Sequence, residues 1–289
     1  MNKMVNLFGS LSPKISIVSN EVAIRVGFFL LIFVLIAIWE IFLPRRVLTT
    51  SKIVRWFSNL SIIFLNAILV RVLFFMLPVG MALLSQERSW GLLNNYTLPY
   101  WLKVVIGVIV LDFVIYLQHV MFHAVPLLWR MHMMHHADLD FDVTTGLRFH
   151  PLEILISMLI KLAAVVVIGP SVLAVIIFEV LLNGTSMFNH GNIRIPKSID
   201  RVLRFLVVTP DMHRVHHSVI IRETNSNFGF NLPWWDRVLG TYRDQPTEGH
   251  KDMTIGLAQF RDPKRLTLPW MLAMPFIGKK IRNPIKLRL

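Results

Sequence analysis

Residues 111–136 read LDFVIYLQHVMFHAVPLLWRMHMMHH. An apolar run ends in His119-x-x-x-His123, and His132-x-x-His135-His136 follows at once. Residues three and four apart share a face of a helix, so each group points its imidazoles broadly one way. The apolar run, about 101–118, has the length of a membrane span. The stretch therefore reads as a membrane helix that delivers histidines to the membrane surface.

Downstream lie His190 and a second triplet, His213-x-x-His216-His217. Between the two triplets, the apolar segments 152–168 and 171–189 flank Gly169-Pro170, a turn signal. They predict a helical hairpin, 152–189, whose two ends return to the same face. Lys161 and Glu179 stand at similar distances from the turn and are expected to pair.

Upstream, apolar blocks predict spans at about 26–43 and 59–84. The first stops at Pro44-Arg45-Arg46. Lys52 and Arg55 follow with no acidic residue, which makes this loop cytosolic by the positive-inside rule and puts the amino terminus on the other side. Glu40 is expected to reach the headgroups. Arg71 interrupts the second block at a cost of about 3 kcal/mol on insertion scales. The block is read as one span, with two shorter pieces as the alternative. Residues 1–25 show no cleavage-site pattern, so the run from Val26 is expected to be a retained span.

The fold expected is thus an all-α integral membrane protein. An N-terminal region, 1–118, carries about three spans (26–43, 59–84, 101–118). Region 119–289 carries the hairpin and a histidine-rich cytosolic helical cap, with an interfacial segment near 266–278.

The composition agrees. The 289 residues are 54% hydrophobic with a formal net charge of +13, and the mean hydropathy is +0.58. The basic residues sit beside apolar blocks, which points to anionic lipid headgroups. No nucleic-acid motif occurs, and nucleic acid is excluded as a partner. The absence of cysteine excludes disulfides, iron–sulfur clusters and thiolate metal sites.

Eight clustered histidines, with His190 as a ninth, are too many for one ion. A structural zinc site holds one ion with about four ligands, often including cysteine. Neither H-E-x-x-H nor E-x-x-H occurs, so the pattern left is a histidine-rich di-metal site at a membrane. His119, His123, His132, His135, His136, His190, His213, His216 and His217 are the candidate ligands. Asp112 shares a face with Tyr116, His119 and His123. It is expected to accept the second ring N–H of a ligand histidine, with an ion pair to Arg71 as the alternative. Asp211 either plays a similar part or caps a helix after Pro210. His150, before Pro151, is open between ligand, supporting group and interfacial residue. His250 is expected to be solvated.

These residues resemble the fatty acid hydroxylase and sterol desaturase superfamily. The resemblance rests on the three clusters and Arg148-x-His150-Pro151. Asn227-Phe228-Gly229 and Trp235-Asp236-Arg237-x-x-Gly240-Thr241 complete it. It spans about 105–245 and implies that 119–289 is the catalytic region of a membrane-bound non-haem di-iron oxidase. Such an enzyme uses dioxygen to hydroxylate or desaturate a lipid C–H bond. It implies two iron ions (zinc being possible in purified protein), a membrane lipid substrate, and a separate electron donor of cytochrome b5 or ferredoxin type. The eight motif histidines then look like ligands, with His190 as a further one. Related members carry a second histidine where this chain has Arg194. Asp236 is left between a ligand histidine and Arg237. A short chain without an appended domain favours the bacterial inner membrane over the endoplasmic reticulum. The competing readings are a non-catalytic metal-binding or metal-transport protein and a haem electron carrier. A transporter should carry polar ligands midway through several spans, whereas here the histidines gather at one face. A haem needs few histidines and leaves the triplets unexplained.

Overall fold

The computed structural model describes residues 20–277. Its membrane part comprises α1 (Glu21–Phe42), α2 (Lys52–Leu73), α3 (Pro78–Glu87) and α4 (Tyr100–Ala124), then α5 (Pro126–His136) and the hairpin α6 (Pro151–Ile168) and α7 (Val172–Asn189). Stretches 21–42, 52–95, 100–124, 151–168 and 172–189 are long and apolar enough to cross a membrane. The all-helical multipass expectation holds. The cap contains α8 (Lys197–Leu203), α9 (Pro210–His216), α10 (Trp234–Val238) and α11 (Leu268–Ala273). The expected amino-terminal tail lies outside the described residues up to 19.

The second span is not one helix over 59–84. It starts at Lys52, where Ser51 caps it by accepting from the Val54 amide. It stops at Leu73, and α3 begins only at Pro78. Pro78 cannot donate a backbone hydrogen bond and pushes Leu77 out of the helical region; Leu77 is extended, at φ −100° and ψ 169°. Arg71 therefore falls in the last turn of α2, where it is exposed. Among the described residues it makes no ion pair, so the alternative pairing with Asp112 does not form.

The hairpin turns where the sequence places it. Gly169 closes α6 in the left-handed conformation, at φ +66°, which a side chain would disfavour. Ser171 caps α7. Lys161 meets Glu179 at 3.3 Å, and Arg25 of α1 reaches the same carboxylate at 3.0 Å. The segment near 266–277 is only partly interfacial. Met271 and Met274 are buried with Trp129, Met133 and Met134 of α5, while Trp270 and Phe276 are exposed.

Acidic residues fix the segment between α5 and α6. Arg55 is fully buried and grips Asp138 through Nε at 2.7 Å and Nη2 at 2.9 Å, with Nη1 on Asp142. Asp140 accepts from the amides of Thr49 and Thr50. Glu40 does not reach the headgroups. It is buried and accepts from the amides of Val143 at 2.7 Å and Asn192 at 2.8 Å. The loop is thereby tied to α1 and α2, and the residues after α7 are tied to α1.

Burial alone would raise the Asp138 carboxyl, but the Arg55 charge and hydrogen bonds outweigh it and hold the group at about 2, against 3.8. Breaking such a buried pair costs about 3–5 kcal/mol. Asp138→Ala is expected to lower thermal stability in detergent by that order. Because the folded pKa is depressed, this stabilisation is complete above the unfolded value near 3.8. It is lost as pH falls from about 4 towards 2, and a melting series across pH 2–7 reads it.

Candidate metal centre

Nine histidines converge in two buried groups that could each hold a metal ion. One comprises His119 and His123 of α4, His132 and His136 of α5, and His216 of α9. The other comprises His135 of α5, His190 after α7, and His213 and His217 of α9 and its cap. Each H-x-x-H-H triplet gives its i, i+4 pair to one group and its remaining histidine to the other. His132 and His136 stay together while His135 crosses over; His213 and His217 stay together while His216 crosses over. The exchange makes the two groups share both helices.

The hydrogen bonds set the tautomers. His119 Nδ1 donates to the Phe228 carbonyl at 2.8 Å, and His132 Nδ1 to Glu153 Oε1 at 2.7 Å. Their Nε2 atoms then carry lone pairs, and they face each other at 3.2 Å. In the second group, His135 Nδ1 donates to the Arg148 carbonyl at 3.2 Å and His190 Nδ1 to the Ser186 carbonyl at 2.7 Å. Their Nε2 atoms lie 3.1 Å apart. Two lone pairs at that distance repel unless a cation lies between them. Metal–nitrogen bonds of about 2.0–2.1 Å, at octahedral to tetrahedral angles, place adjacent nitrogens about 2.9–3.4 Å apart. The donor set therefore fits one ion per group. His216 Nε2 is also buried without a hydrogen-bond partner.

Electrostatics keeps the rings in the ligating form. Burial, then neighbouring imidazoles, drives His135, His136, His213 and His217 well below the ordinary histidine value. Burial likewise lowers His216 and takes His190 to about 3. Neutral imidazole is the metal-binding state.

Surrounding groups orient the rings. The Ser226 carbonyl accepts from His216 Nδ1 at 2.8 Å, and Asn225 Oδ1 lies 3.3 Å from His123 Nδ1. Buried Arg148 donates to the Met134 carbonyl and to Asn59 Oδ1, fixing the carbonyl that receives His135. A Cβ at Gly146 would collide with the Ser186 carbonyl that holds His190. Sequence reasoning missed Glu153; a carboxylate in the first turn of an apolar helix was the available signal.

Several expected roles fall to other partners. Asp112 does not touch a histidine; its Oδ2 accepts from Trp235 Nε1 at 2.7 Å. His150 belongs to neither group. It caps α6, its Nδ1 accepting from the Leu152 amide, and its Nε2 donates to the Leu272 carbonyl. Thr209, not Asp211, caps α9. Asp211 instead pairs with Arg45 and Arg214. Asp236 binds neither a histidine nor Arg237. It accepts from the amides of Phe228 and Gly229, each at 2.8 Å, and so shapes the loop whose carbonyl holds His119. His250 is buried rather than solvated; burial lowers it to about 4 despite nearby Asp211.

The fold and site define a multipass membrane protein with two buried imidazole clusters that could each hold a metal ion. Residues 104–241, just under half of the chain, match the model of the fatty acid hydroxylase family. The chain is 28% identical to an ornithine lipid hydroxylase of Rhizobium tropici over 54% of this chain and 46% of the relative. It is 30% identical to alkylglycerol monooxygenase of Xenopus tropicalis over 56% of this chain and 36% of the relative. Methylsterol monooxygenase 2-2 of Arabidopsis thaliana is 25% identical over 57% of this chain and 63% of its own length. The matches thus span less than two thirds of each of these relatives. No solved structure matches the chain significantly.

Removing a group that orients a metal-bound histidine typically costs about 10–100-fold in metal affinity. Glu153→Ala is expected to lose metal to a chelator at a concentration lower by that factor. His150→Ala should leave the metal in place. Metal analysis after graded chelator treatment checks both.

Proposed function

We propose that this chain is a membrane-bound di-iron monooxygenase that hydroxylates a C–H bond of a lipid. The observation that carries the reading is the pair of opposed Nε2 lone pairs in each histidine group, inside a fatty acid hydroxylase domain. His119, His123, His132, His136 and His216 would hold one iron, and His135, His190, His213 and His217 the other. Imidazole suits iron and zinc alike; iron is preferred because the reaction needs a redox metal, which zinc is not. The bound pair would supply dioxygen activation. Overall, one oxygen atom enters the C–H bond, and two electrons and two protons convert the other to water. A separate cytochrome b5- or ferredoxin-type donor would supply the electrons. The metal face is cytosolic, on the positive charge of 44–55.

The protein's part is to admit, orient and dry the substrate. A cavity of about 230 Å³ has His119, His132 and Glu153 at one end and Arg25, Lys161 and Glu179 at the other. Along α6, Glu153, Ser157 and Lys161 form a stripe four residues apart, about 12 Å long at 1.5 Å per residue. Asn66 Oδ1, Gln118 Oε1 and Glu153 Oε2, on three of the lining helices, are buried without hydrogen-bond partners. A bare alkyl chain would leave them so, at about 1–3 kcal/mol each. The substrate therefore carries a hydrogen-bond-donating function within about 12 Å of the oxidised carbon, close to a lipid headgroup rather than at the tail end.

Expression of the wild type and His216→Ala in a lipid-rich host, with metal analysis and lipid mass spectrometry, tests the reading. About two irons per chain and an oxygenated lipid that is absent from the mutant are expected. Metal with no oxygen-dependent product, in a well-reduced preparation given a broad lipid panel, would overturn it in favour of a non-catalytic metal protein. Purified enzyme should also oxidise an n-alkane at least about tenfold less efficiently than a chain of equal length carrying a hydroxyl near the reactive carbon, one lost hydrogen bond being worth about that factor.

A further inference from the structure

We infer that the cap is not wholly aqueous: the surface formed by the end of α8 and by α10 is seated in the hydrocarbon of the membrane leaflet beside α4. The depth follows from what this segment touches. Trp235 donates to Asp112, and its ring packs 4.7 Å from that of Phe113. Thr241 Oγ1 lies 2.8 Å from the Tyr116 hydroxyl. Asp112 is the central residue of α4, Tyr100–Ala124. At 1.5 Å per residue it stands about 18 Å from either end of the helix and about 10 Å deeper than His119. If the exposed Tyr100 and Trp101 mark one interface, a hydrocarbon core of about 30 Å ends near residue 120. The α10 segment then meets α4 well inside that core.

Its surface suits that position. Val238 is 77% exposed and Leu239 50%. Trp234, Phe205, Leu206 and Val202 continue the same exposed apolar face, joined by the hydrogen bond from Trp234 Nε1 to the Phe205 carbonyl at 2.7 Å. Such a face in water would be an unusually large apolar patch. Basic side chains fringe it. Lys197 and Arg201 are exposed, and Arg237 lies over the rings of Phe205 and Tyr242, placed to reach anionic headgroups while the rings stay in the leaflet.

Irregular backbone survives at membrane depth only if its polar groups are satisfied by protein. Here they largely are. The amides of Thr241 and Tyr242 donate to the Asp236 carbonyl, that of Leu239 to Trp235, and that of Asn227 to Thr241. The Asp236 carboxylate takes the amides of Phe228 and Gly229 and the Thr241 hydroxyl. The Phe228 carbonyl that holds His119 is thereby tied to a segment seated among the acyl chains, with His119 itself at the edge of the hydrocarbon.

The chain has no cysteine, so single cysteines can be labelled cleanly. Val238→Cys and Phe205→Cys, each carrying a nitroxide, are compared in lipid nanodiscs with the same label at Lys251→Cys on the exposed face of the cap. Power-saturation spectroscopy with oxygen and a water-soluble nickel chelate reads the depth. Both test labels should be at least about tenfold more accessible to oxygen relative to nickel than the Lys251 label. Leu239→Cys replaces Val238→Cys if the latter does not fold. Nickel accessibility at either test position equal to that of Lys251 would overturn the proposal. The readout needs no bound metal or substrate, so it stands apart from the enzymatic reading.

Discussion

Two imidazoles whose ring protons both point outward cannot rest nose to nose at about 3.1 Å, the Nε2 separation of His135 and His190, unless positive charge lies between them. That constraint organises the molecule. Carbonyls of Phe228, Arg148, Ser186 and Ser226, and the carboxylate of Glu153, hold the outward protons. The acceptors come from three parts of the chain: the start of α6 (Arg148 and Glu153), α7 (Ser186) and the loop before α10 (Ser226 and Phe228). The site therefore exists only when hairpin, cap and spans are assembled, and loaded metal and folded protein should be coupled.

The scaffold reads as a means of holding those acceptors still. Arg55 draws Asp138 and Asp142 against α2, and Glu40 pins both Val143 and Asn192 to α1. Asp236 does for the loop before α10 what Arg148 does for the turn before α6. Both act on backbone, through which they place a ring.

Much of this was legible in the sequence because helical spacing is short-range. The i, i+4 histidine pairs, the hairpin about Gly169 and the Lys161–Glu179 pair follow from local rules. What the spacing hides is which triplet member crosses to the other group, because that depends on how α5 and α9 face each other. Glu153 lies 21 residues from His132, so no local pattern joins them. Asp112 misled because its partner, Trp235, comes from the cap. His150 shows the opposite failure: beside Pro151 it is a helix cap, a local role absent from the three readings, ligand, supporting group and interfacial residue, between which it was left open. The break before Pro78 was readable, since the residue before a proline resists helix. The long apolar block concealed it.

The most direct test of the account is X-ray absorption at the metal edge on purified wild-type protein, combined with metal quantification. The account predicts two ions per chain, with nitrogen-dominated inner shells and strong imidazole scattering. A single ion per chain, or shells dominated by oxygen with little imidazole signal, would contradict it.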